Sequence, residues 1–127
     1  MEKAETEGVQ VIAESFYLDS ESNPDEGIYI FAYRIKIKNF GQRTVKLLRR
    51  HWIISDSNGD VSHVRGEGVV GEQPVLESGE EYEYTSGSRL KSVMGTMEGS
   101  YIMTNSEGYE FEVIIPCFTL SVPGVIN

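Results

Sequence analysis

The sequence predicts an all-β domain built as a two-sheet sandwich, and three observations carry that reading. Val and Ile together number 23, against 9 for Leu and Ala combined, a bias toward residues that suit a pleated surface. Two stretches alternate strictly with period 2: Tyr29, Phe31, Tyr33, Ile35 and Ile37 against Arg34, Lys36 and Lys38, and Tyr109, Phe111, Val113 and Ile115 against Glu110 and Glu112. No stretch keeps apolar residues at i, i+3, i+4 and i+7 beyond a single turn, so no helix is expected.

In chain order the expected strands cover residues 10–18, 28–39, 45–54, 61–65, 81–85, 100–104 and 109–115, about seven in all. Turn residues separate them: Asn23-Pro24-Asp25, Asn39 to Gly41, Asn58-Gly59, Ser78-Gly79, Ser86-Gly87 and Ser106 to Gly108. Beyond Pro116 the apolar set moves to Phe118, Leu120 and Val122. Proline cannot donate to a ladder, so a bulge or a change of sheet is expected there. Short strands at this spacing read as two packed sheets. The Met97-Glu98-Gly99-Ser100-Tyr101 stretch suits a tyrosine corner, and residues 122–127 read as a short tail.

Size and charge narrow the function classes. The 127 residues suit one domain, here taken as residues 1–127, with 39% hydrophobic and 24% charged residues. A net charge of −9 argues against a general nucleic-acid binder. The absence of any apolar run near ~20 residues argues against a membrane span. The single Cys117 and the acidic MEKAETEG start fit a reducing, cytoplasmic setting with no signal peptide. The charge is uneven: residues 34–50 carry seven basic side chains and no acidic one, while the rest of the chain carries four basic and twenty acidic. Those basic side chains are expected to pair across strands with Glu80, Glu81, Glu83, Glu110 or Glu112. The alternative is a basic face open to a partner.

Several motifs carry candidate chemistry. Gly66-Glu67-Gly68-Val69-Val70-Gly71 has the G-x-G-x-x-G spacing of a dinucleotide loop. That loop must open a helix, whereas Glu72, Gln73 and Pro74 follow here, so the motif reads as a glycine-rich connection between strands. Its successive N–H groups, with Arg65 alongside, form the candidate anion nest: Arg65, Gly66, Gly68 and Gly71. In Arg49-Arg50-His51-Trp52, alternation places Arg50 and Trp52 on one face and Arg49 and His51 on the other, with Trp52 in the core. Two histidines and one cysteine fall short of a structural zinc set. The acidic cluster Glu72, Glu77, Glu80, Glu81 and Glu83 is the only candidate for a hard cation, and it reads as a solvated edge. Thr85 and Ser86 offer hydroxyls without an assembled base, as turn residues at a strand end. Cys117 reads as a buried thiol.

Taken in order, the blocks Tyr29–Phe31-Ala32-Tyr33, Leu47-Leu48-Arg49-Arg50-His51-Trp52, Gly66 through Pro74, Tyr84-Thr85-Ser86-Gly87, Gly95–Met97, Gly99–Tyr101 and Ile115-Pro116–Phe118 resemble the ApaG family over residues 8 to 127. The resemblance implies a β-sandwich of the immunoglobulin or fibronectin type III kind. It also implies kinship with modules of eukaryotic F-box proteins and of a DNA-polymerase-delta-interacting protein, where the domain is thought to serve protein–protein contact. Family labels mention cobalt and magnesium efflux. A small sandwich does not itself carry an ion through a bilayer, so such a link is indirect. The family's glycine-rich block maps onto Gly66, Gly68 and Gly71 and has invited a nucleotide or pyrophosphate reading. No catalytic residue is carried over.

The expectation is therefore a non-enzymatic, cofactor-free binding module of the bacterial cytosol that meets a protein partner through Arg50, His51, Glu72, Gln73, Thr85 and Ser86. The alternatives are a binder of a phosphorylated small molecule at the glycine-rich loop, a hydrolase acting on such a molecule, and a divalent-cation-responsive protein. A homodimer through an open sheet edge is compatible with each.

Overall fold

Alternating faces need a second layer to bury them, and the chain supplies it from its own strands. The computed structural model describes residues 1–124. Nine strands follow in order among these: β1 (Glu2–Thr6), β2 (Val9–Tyr17), β3 (Tyr29–Asn39), β4 (Val45–Asp56), β5 (Val61–Glu67), β6 (Val75–Leu76), β7 (Glu81–Leu90), β8 (Met94–Asn105) and β9 (Glu110–Ser121). Among the described residues the only helical pieces are two single 3₁₀ turns, Asp19–Glu21 and Pro24–Glu26, between β2 and β3. One sheet has the order β1-β2-β3-β7. The other has the order β5-β4-β8-β9, with β6 also on β4, and every pairing is antiparallel.

The inward side chains close into one core. Phe31, Ile35 and Ile37 face Leu47, Trp52, Tyr101, Met103 and Val113 from the opposite sheet, all essentially buried. Trp52 sits between the layers, its ring edge-on to Tyr33 at 5.2 Å and to Phe118 at 5.9 Å between centroids. Such pairs add about 0.5–1.5 kcal/mol beyond area burial.

Two bulges make this core possible. In β4 the register against β8 slips between Leu47 and Arg49. The extra residue changes the parity, so Val45 and Leu47 point inward before it and Trp52 points inward after it. The second lies at Pro116, where a bulge or a change of sheet was expected, and of the two it is the bulge that forms. The β8–β9 register slips between Met97 and Gly99, and Ile115 and Phe118 both remain buried. Cys117 is thereby turned outward and is exposed, not buried. Burial nonetheless pushes its thiol up, with Glu98 adding to the effect, so the protonated form is favoured.

Other expectations are corrected. Ser86-Gly87 makes no turn: β7 runs through it, pairing with Tyr33 and Ala32 of β3 as far as Leu90. Tyr101 is not a tyrosine corner. It lies mid-strand, fully buried, and its hydroxyl meets the Tyr84 hydroxyl rather than backbone. β1, absent from the sequence reading because of its charge, forms through a two-residue hairpin. Glu7 and Gly8, at φ 47° and 84°, supply the two positive φ angles that such a turn needs. Of the expected tail, Val122 donates its N–H to Val93 O at 2.9 Å and packs on the core, while residues 125–127 lie outside the described residues.

The two sides of the sandwich differ. On one, the Ile114 N–H donates to Thr6 Oγ1 at 3.2 Å and Ser15 Oγ to Thr119 O at 2.7 Å, tying β1 and β2 to β9. On the other, β7 is tied by the Tyr82 hydroxyl to Glu72 in the loop after β5 and not to β5 itself among the described residues, and a cleft opens between the two strands.

Gly99 sets the closeness of β4 and β8. A Cβ there would stand 1.9 Å from the His51 carbonyl oxygen and 3.1 Å from Trp52 Cα. Backbone cannot yield cheaply, so Gly99→Ala is expected to cost about 3 kcal/mol, the upper part of the usual overpacking range. Urea unfolding checks this: the midpoint falls with an unchanged slope. A shift within about 0.5 kcal/mol, the size of an ordinary surface substitution, contradicts the close approach.

Candidate functional site

The two motif blocks of the sequence meet at the open side, and each holds the other in place. The carbonyl of Leu48, the residue at the β4 bulge, accepts the Gly68 N–H at 2.8 Å and the Gln73 side-chain amide at 3.0 Å. In return Arg50 Nη1 donates to Glu67 O at 3.0 Å and Gly68 O at 2.9 Å. Gly66 lies directly across the strand pair from Arg50, and a Cβ on it would approach the guanidinium to 2.9 Å. Glycine here leaves the surface over which the arginine lies.

The remaining glycines of the motif also have backbone reasons. Gly68, at φ 62°, would drive a Cβ to 2.2 Å from Glu72 O. Gly71 follows Val70 in a tight turn closed by reciprocal Val69–Glu72 bonds of 2.8 and 2.9 Å. Both central residues have positive φ, 48° for Val70 and 81° for Gly71. A β-branched residue in that region is strained by about 1–3 kcal/mol. Since Gly68, Val69 and Glu72 already give their N–H groups to carbonyls, the loop is a latch more than an open nest. The cation beside it is Arg50. Arg65 lies in a groove with His51 and Glu112 that Arg50 and Gly66 also border, and it makes no hydrogen bond to the loop among the described residues.

The cleft between β5 and β7 has a volume of about 370 Å³. The inward positions of β7 explain it: Tyr82, Tyr84, Ser86, Ser88 and Leu90 form a row in which two serines stand where large side chains would fill the gap. Arg50, Tyr33, Trp52 and the two serines line it, with Met97, Ile54 and Val69 as apolar wall. Burial raises the Tyr33 hydroxyl, and its hydrogen bond to Ser86 and the nearby Arg50 charge act in the opposite direction. Trp52 is 2% exposed, and its indole N–H has no acceptor among the described residues. Sequence reasoning placed Trp52 correctly but missed Tyr33 and Ser88 as site residues. The available signal was the serine pair interrupting the aromatic row of β7.

The six residues expected to form one partner surface are distributed. Arg50 and Ser86 share the cleft. Gln73 is turned back onto Leu48, and Glu72 accepts the Tyr82 hydroxyl at 2.9 Å. Thr85 faces outward from the opposite sheet, across from Arg34. His51 is on the outer face, where its Nε2 lies 2.9 Å from His63 Nδ1 and the rings stack at 5.1 Å.

The acidic cluster disperses too: Glu80 accepts the Glu77 N–H at 2.8 Å and Glu83 pairs with Arg34. Among the described residues no three His, Cys, Asp or Glu side chains are set to hold a metal ion. No helix of the described residues is long and apolar enough to cross a membrane. The basic stretch is neutralised in part, three of its seven basic side chains forming ion pairs. Arg34 pairs with Glu14 and Glu83, Arg43 with Glu107 at 2.8 Å, and Arg49 with Glu110 at 3.0 Å. Glu83 and Glu110 were expected partners, whereas Glu14 and Glu107 were not. Arg50 makes no ion pair among the described residues.

Comparison with known proteins gives a consistent pattern. A family model described as the ApaG domain matches residues 19–105. A Protein ApaG of Azoarcus sp. is 47% identical over 127 residues, covering all of both chains. One of Methylobacterium nodulans is 50% identical over 123 residues, 97% of this chain and 95% of its own. A crystal structure of a Bordetella pertussis protein given the name ApaA superposes with a TM-score of 0.89 at 42% identity, covering 91% of this chain and 94% of its own.

The histidine pair has a pH consequence. Desolvation lowers the His51 pKa, and Arg65 and then His63 lower it further, against a weaker opposing pull from Glu112. A folded value below 6.5 means that the fold prefers neutral His51. The stability this contributes is present above 6.5 and is lost as pH falls through the folded value. Ring-proton NMR titration is expected to show His51 protonating below 6.5 and moving upward in Arg65→Gln. A His51 midpoint at or above 6.5 contradicts the arrangement.

Proposed function

This chain belongs to the ApaG domain family, and from that premise we propose that it works as a binding module rather than a catalyst. In this reading it sits in the bacterial cytosol and receives an extended segment of a protein partner along the β5 edge. The observation that carries this is the edge itself. β5 pairs with β4 over seven residues without a slip, and nearly all of its residues are exposed. Its free backbone groups face outward. Val61 at 59% and Val64 at 40% exposure sit on its two faces, with Val70 and Val75 exposed just beyond.

Edge strands are ordinarily blunted by charged side chains, proline, a bulge or a cover. β5 has no proline and no bulge, and its charges, Arg65 and Glu67, fall in its C-terminal half, so β-augmentation is the recognition mode that its first four residues suit. The β5 edge replaces the dispersed six-residue surface as the contact we favour. The non-catalytic part of the proposal draws support from the histidines, which bond each other and not a hydroxyl or thiol.

The experiment is site-specific photo-crosslinking in bacterial extract, with the crosslinker at Val61 or, for comparison, at Lys3 on β1. A discrete adduct is expected from position 61 only. It should be lost in the Val61→Lys/Val64→Lys double variant when that protein keeps its strand circular dichroism. Equal adducts from both positions, or an adduct indifferent to the lysines, would defeat the proposal.

A further inference from the structure

We propose that the cleft between β5 and β7 is a binding site for a small monocarboxylate with a compact apolar body, its carboxylate held by Arg50 and the Trp52 indole N–H. Val64 and Glu67 of β5 border this cleft as well as the edge, but binding in the cleft does not require a partner on that edge.

Four features converge on this chemistry. First, the cleft is bordered by residues that can donate, the Arg50 guanidinium and the hydroxyls of Tyr33, Ser86 and Ser88, with Trp52 in the wall beside them and Glu67 as the acidic exception. Arg50 spends Nη1 on the two loop carbonyls, leaving Nε and Nη2 without a hydrogen-bond or ion-pair partner among the described residues. A planar fork of this kind matches an oxyanion. Second, the Trp52 N–H is buried without an acceptor, and a buried donor left unpaired calls for an explanation. An incoming carboxylate oxygen satisfies it.

Third, charge selects a monoanion. Arg50 is the single cation lining the cleft, and Glu67 also borders it, its carboxylate 3.4 Å from the Gln73 amide. With Glu67 on the rim the lining charges already sum to zero, so a singly charged carboxylate facing the free edge of Arg50 is disfavoured far less than a phosphate dianion. Fourth, the rest of the wall is apolar, with Ile54, Val69 and Met97, and about 370 Å³ suits a ligand of small-metabolite size. The strained Val70 turn forms part of the rim.

The chain has one tryptophan, so its indole N–H gives a single, unambiguous NMR signal. The test titrates purified ¹⁵N-labelled protein with benzoate and with 4-methylpentanoate, using inorganic phosphate and benzyl alcohol as controls. Carboxylates are expected to shift the indole signal and the backbone amides of residues 86–88 saturably, while the controls leave them in place. Arg50→Gln is expected to weaken binding roughly tenfold to a hundredfold, the loss of a hydrogen bond to a charged group. Ser88→Leu keeps Arg50 and fills the cavity, so it should abolish binding while preserving the dispersion of the spectrum. Ser88→Leu decides the matter if Arg50→Gln fails to fold. The proposal is overturned if neither carboxylate gives a saturable shift, if phosphate or benzyl alcohol matches them, or if folded Ser88→Leu binds like the parent chain.

Discussion

Trp52, wedged between the two sheets, is the constraint on which the rest of the molecule depends. Its ring meets Tyr33 from one layer and Phe118 from the other. For it to point inward, β4 must change parity after Leu47, and the bulge at Leu48 does this. For Phe118 to reach it, β9 must change parity after Ile115, and the second bulge does that. For β4 to lie close against β8 at Trp52, residue 99 must have no Cβ. Three local irregularities therefore serve one packing event. Truncation of such a residue commonly costs about 3–5 kcal/mol.

The same parity change sends Arg50 inward two residues earlier. A guanidinium at the edge of an apolar core needs acceptors, and the loop after β5 supplies two carbonyls. That loop in turn donates to the Leu48 carbonyl from the Gly68 N–H and the Gln73 side-chain amide. The glycine-rich motif is thus accounted for by backbone geometry: room for an arginine at Gly66, close approach at Gly68 and turn geometry at Gly71. Its spacing matches a nucleotide loop, but the physical demands that produce the spacing here are those of a latch.

Function follows from the asymmetry of the sandwich. One side is tied by side-chain bonds from β1 and β2 to β9. The other leaves an uncovered edge, β5, above a donor-lined cleft. The chain's charge has the same logic. Most arginines of the basic stretch find glutamates on exposed surfaces, where such pairs contribute about 0–1 kcal/mol each. Arg50 alone among those arginines is turned inward and left without a counter-charge among the described residues.

The amino-acid sequence by itself determined the sheet content, most strand positions and an irregularity at Pro116. All of these depend on period-2 alternation and on the missing proline N–H, which are local properties. It also carried the family through its ordered motif blocks. The tertiary structure decided what alternation cannot express. The charged β1 strand forms because a two-residue turn folds it onto β2. Ser86-Gly87 stays in a strand because β3 pairs with it. Cys117 is outside because the bulge adds a residue before Phe118. Arg50 rather than Arg65 serves the glycine loop, because which face a side chain takes depends on bulges and on cross-strand register. Register is set by contacts between segments far apart in the chain, so no single segment records it.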